Sequence, residues 1–570
     1  TLTPALASLL IRGRIRGEHD HPLSRWLVRG YAPVVRWVVR RRGLVVAGAL
    51  LLLATAVPPF LSLGSEFMPP LNEGTLLYMP TAPPGIAISE ASRVLQLMDR
   101  ELHEVPEVER VFGKIGRAET PTDPAPLSMV ETIVQLAPRE RWRPGLTWES
   151  LVQELDRKLR YPGMPNLWWM PIQTRTEMLA TGVRSQLGVK VFGDDVGQVE
   201  QAAVAIANAL RSVPGTRNAF AERATGAFYL DVRTDRARAA RYGVRIEDVN
   251  GALEAAVGGA TVSQTVEGRE RYAIQVRYAR GFRDDPDAVG QTLVPTSSGA
   301  LVPLRELGEL RFTHGPDMVR SEAGKLVGLV AVDVVGRPIV DYVEAAKRYV
   351  ASKVALPPGT RVEWVGQYEY FERAKARLQL VLPLTLGLVA LLLYLNTRSA
   401  VETAIVLLAV PFSLVGAVWL LYALGYNLSV AVWVGIIALA GLDAQTGVVM
   451  LLYLSVAWRE HAQSERLRAA PDLEDAIVEG AARRIRPKLM TVLTMMLGLT
   501  PLLFSTGTGA DVMKRIAAPM VGGLTSSFAL ELLVYPALFA LWKSRGHTRR
   551  RSATARWPSR TAGSRRPSSR

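Results

Sequence analysis

The sequence predicts an α+β membrane protein: six transmembrane helices, one before and five after a large domain outside the membrane. Three observations predict it. Six stretches are long and apolar enough for the roughly 20 residues a helix needs to cross a bilayer. About 310 residues of ordinary globular composition separate the first stretch from the other five. The excess positive charge gathers on one set of flanks, the usual mark of membrane topology.

The elements follow in order. Residues 1–43 form a basic segment on the cytoplasmic side. Its opening, "TLTPALASLLIRG", resembles the last turns of a preceding membrane helix, and an amphipathic linker follows it. The first span is 44–63, "LVVAGALLLLATAVPPFLSL". The remaining spans are expected at 377–396, 402–424, 428–456, 488–506 and 519–542, within a helical region 376–543. A basic, low-complexity tail, 544–570, is expected to be disordered.

The formal charge of +16 suggests nucleic acid until it is mapped. Residues 1–43 hold nine arginines against Glu18 and Asp20, and 544–570 hold nine arginines and no acid. The residues between are therefore close to neutral, and no basic stripe for nucleic acid is expected. Arg40, Arg41 and Arg42 precede the first span, and Arg466, Arg468, Arg483, Arg484 and Arg486 lie between the fourth and fifth. With the tail they fall on one side, which puts the large domain on the other, periplasmic in a bacterium. Lys514 and Arg515 are the exception.

Inside the large domain a pattern occurs twice. "GTLLYMP" (74–80) reads as a strand, a helix follows with Ala91, Val94, Leu95, Met98 and Leu102 on one face, and "VERVFGKI" is a second strand. Further on, "LGVKVFG", an alanine-rich helix at 197–212 and another strand repeat the order. The reading is a pair of ferredoxin-like split βαβ subdomains: the first at 64–168, the second at 169–225 and 316–375. Residues 226–315 interrupt the second as an inserted subdomain.

The chain has no cysteine, so disulfides and thiolate metal sites are excluded. It has no G-x-x-x-x-G-K-[ST] loop and no convincing Ser/His/Asp or zinc constellation, so it is not expected to be an enzyme or to need a cofactor.

Several runs resemble a known family. They include "HPLSRW" (21–26), "LGSEFMPPLNEGTLLYMP" (63–80), "VFGKIGRAETPTDPAPLSM" (111–129) and "EMLATGVRS" (177–185), with "ALAGLDAQTGVVMLLYL" (438–454), "RIRPKLMTV" (484–492) and "MKRIAAPMVGG" (513–523). Over residues 1–543 the chain is similar to the C-terminal half of an RND efflux pump of the heavy-metal branch, and within it the Cus-type copper(I)/silver(I) pump. The resemblance implies that 226–315 is a docking subdomain. It also implies a homotrimer in the bacterial inner membrane, a periplasmic membrane-fusion adaptor and an outer-membrane channel as partners, a periplasmic metal chaperone as another, and the proton-motive force as energy source.

It further implies a metal site at Met79, Met129 and Met178, with Met513 as a relay outside the fifth and sixth spans. Thioethers suit soft Cu(I) and Ag(I) and need lose no proton to bind. Met98, Met495 and Met496 read as packing residues instead, and packing at the membrane interface also accounts for Met513. Glu73, Asp123, Glu131 and Arg175 are expected to line the metal cleft, although solvated surface explains the acids equally well, and Glu177 and Arg184 beside Met178 are expected with Arg175 to face its water. Thr261 replaces a methionine of the Cus-type pattern on the exit side.

Ionisable residues at membrane depth are usually functional. Asp443 and Lys488 are the expected proton relay, with a partner acid outside this chain. Gln445 stands where the copper pump has its glutamate, and Asp443 is expected to substitute for it. Lys488 also fits an interfacial anchor. Glu531, in "SFALELLVYP", has no assigned role. The competing readings are a divalent-cation exporter of the Czc type, a SecD/SecF-like export accessory and a non-transporting remnant. Only His103 and His314 lie in the large domain, which favours the soft-metal reading.

Overall fold

Two sheets of the same strand order make up most of the chain between its apolar helices. The computed structural model describes residues 22–69, 71–116, 126–316, 318–463 and 470–554, with Leu6 and Leu9. Asp123 and residues 555–570 of the expected tail lie outside the described residues.

The chain enters through α1 (Pro22–Arg40), which breaks at Arg41 before α2 (Arg42–Thr55). α1 is fixed to the helical region: Tyr31 and Val35 are buried there, and the Tyr31 hydroxyl donates to the Leu532 carbonyl at 2.6 Å.

In the first sheet, β1 (Thr75–Tyr78), β2 (Val108–Ile115), β3 (Val130–Leu136) and β4 (Trp168–Trp169) lie in the order β2-β3-β1-β4, every pair antiparallel. α3 (Ile88–His103) joins β1 to β2, and α4 (Trp148–Lys158) lies between β3 and β4. The pleat sends Leu76, Tyr78, Val130 and Val134 to the helix side, where they meet Val94, Met98, Leu102, Leu151 and Leu155. Thr147 caps α4 by accepting from the Ser150 amide at 3.2 Å.

The short helix α5 (Pro171–Thr181) crosses to the second sheet. There β5 (Leu187–Gly193), α6 (Val196–Leu210) and β6 (Thr216–Ala221) precede an insertion. After it come β14 (Lys325–Val334), α7 (Ile339–Lys353) and β15 (Arg361–Gly366). β14 pairs with β5 and β6, and β15 with β5, so the two sheets share one plan. The alanines of α6 let it lie close to the sheet: Ala202, Ala203 and Ala207 are buried against Val189, Val191 and Val330.

The insertion leaves and returns along a two-stranded ribbon, β7 (Thr225–Thr234) with β12 (Gly308–Pro316). It contains an exposed hairpin, β8 (Ala260–Glu267) with β9 (Glu270–Val276), a second pair, β10 (Leu293–Pro295) with β11 (Leu301–Pro303), and a small core around Val249, Val294 and Leu304. β13 (Ser321–Glu322) then pairs with β14.

The apolar helices follow: α8 (Gln367–Thr397), α9 (Ala400–Leu407), α10 (Ala409–Leu424), α11 (Val430–Gln463), α12 (Ala470–Leu503) and α13 (Ala510–Thr554). Among the described residues five helical stretches are long and apolar enough to cross a membrane: Arg42–Ser62, Gln367–Thr397, Ala400–Leu424, Val430–Gln463 and Ala510–Ser544. The stretch expected at 488–506 lies in α12, whose middle carries Arg483, Arg484, Arg486 and Lys488 and which is apolar only from Leu489 on.

Two boundaries move as well. α8 begins at Gln367, inside the segment assigned to the second sheet, because its first turns are good helix formers held by a Glu369–Arg373 pair at 2.7 Å. α13 runs through the start of the expected tail to Thr554, and after Pro536 the sequence has no proline before Pro558.

α10 and α13 touch backbone to backbone. A Cβ added at Gly522 would stand 2.3 Å from the Gly416 carbonyl oxygen, so glycine is required there. The Ser526 hydroxyl donates to the Phe412 carbonyl at 2.9 Å and accepts from the Gly416 amide at 3.0 Å. Small residues at such crossings are what close helix packing in a membrane needs.

Candidate functional site

Two groups of residues fit the expected chemistry, one between the sheets and one among the helices. At the first, the Met79 amide donates to the Leu167 carbonyl at 2.9 Å, and the Ala82 amide to the Ser128 carbonyl at 2.7 Å. These bonds hold the end of β1 beside the start of β3, where Thr81 bridges Met129. Met79 and Met129 are 2% and 5% exposed. Both sit in one apolar cluster with Leu77 and Leu167 of the first unit and Phe220 and Ala331 of the second. The two thioethers therefore lie at the seam between the sheets.

Met178 is not in that cluster. It is half-buried in the last turn of α5, a helix that packs against β1 and β15. Gly182, in the left-handed conformation, ends this helix by donating its amide to the Met178 carbonyl at 2.8 Å. The structure thus brings two of the three expected methionines together and holds the third on a neighbouring helix.

The charged residues expected in the cleft are scattered. Glu73 accepts from the Ile172 amide at 3.1 Å, in the first turn of α5. Glu131 pairs with Lys114 at 2.7 Å on the face of β3 that carries Met129. Arg175 is exposed on α5. Met513 is half-exposed in the first turn of α13, near the Arg515–Glu66 pair at 3.3 Å.

Two more features belong to this seam. Beside the methionine cluster lies a cavity of about 540 Å³, lined from the two units by Thr81, Ser128, Met164, Arg184, Phe220 and Glu222 among others. Glu222 pairs with Arg184 and, at 3.3 Å, with Arg320. Burial pushes Glu222 up, but the two guanidinium groups outweigh it and hold its carboxyl below the usual range. The second feature is Glu177, next to Met178. Its Oε1 accepts from Gln173 at 3.0 Å and from Gln367 at 2.9 Å, while the buried Oε2 has no hydrogen-bond partner among the described residues. Burial pushes this carboxyl up to about 7, against the two amide hydrogen bonds.

The second group joins α11, α12 and α13. Asp443, Lys488 and Glu531 are each at most 1% exposed. Lys488 Nζ pairs with Glu531 Oε2. Ser527 Oγ lies 2.7 Å from Asp443 Oδ1 and 2.8 Å from Glu531 Oε1. The Thr446 hydroxyl donates to Glu531 Oε1 at 3.2 Å. Lys488 is therefore an ion-pair partner inside the bundle and not an interfacial anchor. Gln445 is exposed while Asp443 is buried, because two residues on a helix differ by about 200° in direction. Asp443 thus faces the inside of the bundle in a direction different from that of Gln445. The missed member is Glu531. Its signal was available: a glutamate at membrane depth with a serine one turn before it on the same helix face.

Among the described residues no three His, Cys, Asp or Glu side chains are grouped to hold a metal ion. His103 and His314 are both exposed.

The chain matches the model of the AcrB/AcrD/AcrF family over residues 1–543. It is 42% identical over 550 residues to the cation efflux system protein CusA of Escherichia coli K12, covering 96% of this chain and 52% of CusA. It is 33% identical over 549 residues to the cobalt-zinc-cadmium resistance protein CzcA of Cupriavidus metallidurans, covering 95% of this chain and 51% of CzcA. Its fold matches the crystal structure of a heavy metal efflux pump with a TM-score of 0.80 at 30% identity, over 95% of this chain and 54% of that one. The chain spans about half the length of the curated relatives it matches.

Proposed function

The chain belongs to the AcrB/AcrD/AcrF family of RND pumps, and from that membership we propose that it serves proton-driven efflux of the soft monovalent ions Cu(I) and Ag(I). One observation carries the substrate class: Met79 and Met129, fifty residues apart in sequence, meet at the seam of the two sheets, with Met178 on the helix that crosses between them. Neutral thioethers favour a soft cation over Zn(II) or Ca(II) and leave its charge uncompensated, which keeps release easy. The higher identity to CusA than to CzcA points the same way, as do two exposed, separate histidines.

Loading follows from the packing. Met79 and Met129 are closed off by Phe220 and Ala331 of the second sheet, so an ion reaches their sulfurs only when the seam parts. Met178 has to turn inward from its half-buried position on α5 to complete a three-sulfur set. Glu73, Glu131 and Arg175, spread around the seam, set the charge that an approaching ion meets. Met513, at the start of α13, is a relay from the membrane side.

The energy source is the proton-motive force, taken up at Asp443 and Lys488. The wider arrangement in this proposal is six crossings of the inner membrane, with α12 as the sixth, and the sheets on the periplasmic side. It includes a homotrimer with a membrane-fusion adaptor, an outer-membrane channel and a periplasmic metal chaperone.

The test is equilibrium binding of Ag(I) to the purified chain, which needs no transport. The wild type is expected to bind Ag(I) and to leave Zn(II) free at the same concentration. Met79→Ile, Met129→Ile and Met178→Ile should each weaken Ag(I) binding. Undiminished binding in the triple variant refutes the methionine site.

A further inference from the structure

The proposed relay leaves Ser527 and Glu531 unexplained, and their geometry gives them a part. They lie one turn apart on α13 and face the same way. Ser527 Oγ is 2.7 Å from Asp443 Oδ1 and 2.8 Å from Glu531 Oε1. Both are ordinary O–H···O separations. A hydroxyl has one proton and can satisfy only one of them as donor. If both carboxyls were ionised, the other contact would set lone pair against lone pair in a buried site. One carboxyl must therefore bring a proton of its own.

The surroundings identify which. Glu531 has the Lys488 ammonium on Oε2, the partner that suits an anion, while the Thr446 hydroxyl is shared between its Oε1 at 3.2 Å and the Asp443 carbonyl at 3.1 Å. Among the described residues Asp443 has no cation hydrogen-bonded to it, and its buried Oδ2 accepts no hydrogen bond. An orphaned oxygen costs far less on a neutral carboxylic acid than on a buried carboxylate. Asp443 is thus the acid, with Oδ1–H donating to Ser527 Oγ, while the Ser527 O–H donates to Glu531 Oε1.

We propose that Asp443, Ser527 and Glu531 form a proton wire whose terminal carboxyl is paired with Lys488, so that this chain has its own coupling unit in addition to any acid outside it. The step is balanced. The Asp443 O–H bond breaks as its proton passes to Ser527 Oγ, and the original Ser527 O–H bond breaks as that proton passes to Glu531 Oε1. Asp443 becomes the carboxylate, Glu531 the neutral acid, Ser527 is again a hydroxyl and Lys488 stays an ammonium. The net charge is unchanged, but the carboxylate facing Lys488 moves from α13 to α11. That change of partner is what a bundle could use to shift one helix against another.

The other titratable groups facing the unit among the described residues are Arg484, one turn before Lys488 on α12, and Tyr535, one turn after Glu531 on α13. The Tyr535 hydroxyl donates to the Val406 carbonyl at 3.1 Å and lies outside the wire. From α10, Ser413 stands beside Asp443 and directs its hydroxyl to the Val410 carbonyl at 2.8 Å.

This inference rests on the proton-driven reading, and infrared spectroscopy of the full chain in lipid nanodiscs tests it separately. The difference spectrum of wild type minus Asp443→Asn at neutral pH should contain the C=O stretch of a protonated carboxylic acid, shifted down in D2O. Ser527→Ala should move that band to higher frequency as its hydrogen bond is lost, and Ser527→Thr should restore it. The absence of an acid band from the difference spectrum overturns the wire. So does a band that Ser527→Ala leaves in place. Asp443→Asn is isosteric, so the first comparison stands even where Ser527→Ala fails to fold. Ag(I) binding does not involve these residues: a chain with the band but no Ag(I) binding refutes the efflux reading and leaves the wire intact.

Discussion

The seam between the sheets and the charged unit among the helices each hold a residue at odds with its surroundings in the sequence. Met178 is an apolar side chain in a polar run, and Glu531 is an acid in an apolar one. The structure treats them differently. Met178 stays half-buried, away from the other two methionines, whereas Glu531 is fully buried with a hydrogen-bond or ion-pair partner on each oxygen. The difference is one of free energy. A thioether at a surface costs almost nothing, so nothing compels it into a site until an ion arrives. A carboxylate inside a bundle costs several kcal/mol unless it is paired, so its partners have to be built into the resting fold.

Four measurements sharpen or break this contrast. The largest effect is expected from Lys488→Met, which strands Glu531. Unfolding in mixed micelles should lose about 3–5 kcal/mol, and the double variant Lys488→Met/Glu531→Leu should regain most of it. A double variant no more stable than the single would show that the pair is not the source of the cost.

Next comes Glu177, whose carboxyl is held up to about 7 by burial. The folded chain binds this proton more tightly than the unfolded chain does. Its stabilising effect is therefore complete below the unfolded carboxyl value and is lost as pH rises towards 7. The loss is about 3 kcal/mol at most. Glu177→Gln should flatten that part of the stability–pH curve, and an unchanged slope would contradict the assignment.

Met79→Ala should cost about 2–3 kcal/mol through the cavity it opens at the seam. Met178→Ala should stay within about 0.5 kcal/mol, as expected of a residue with no fixed packing role. Equal losses at the two positions, read by thermal unfolding, would place Met178 in the core and end the distinction.

Much of the fold could be read from the residues. The short, mostly apolar runs "GTLLYMP" and "LGVKVFG" marked strands that lie inside their sheets, and the spacing of Ala91, Val94, Met98 and Leu102 marked a helix face that is buried in the structure. The ribbon of the insertion, Thr225–Thr234 with Gly308–Pro316, falls close to where the change of pattern put its ends. The apolar part of α12 was harder to judge because Lys488 stands at its start, and a hydropathy pattern cannot tell a lysine at an interface from one with a buried partner. The charged unit was legible only in part, as Asp443 and Lys488, for a related reason. Asp443, Lys488 and Glu531 come from three helices, and whether they meet depends on the rotation of each about its axis. Glu177 shows the same limit: in "TRTEMLATG" it reads as the lining of a water-filled cleft, and the packing of α5 against β15 and Gln367 buries it.

The contact between Gly416 and Gly522 has a consequence beyond packing. Proton transfer between oxygens slows sharply once they separate much beyond hydrogen-bond length, so a wire with links of 2.7 and 2.8 Å works only within a narrow mechanical tolerance. α13 carries both Ser527 and Glu531, and where it meets α10 no side chain intervenes to act as a compressible spacer. The two glycines serve as a hard stop that gauges the position of α13. A bulkier residue there would act as a shim, detuning the relay from more than a full helical turn away without touching any charged group.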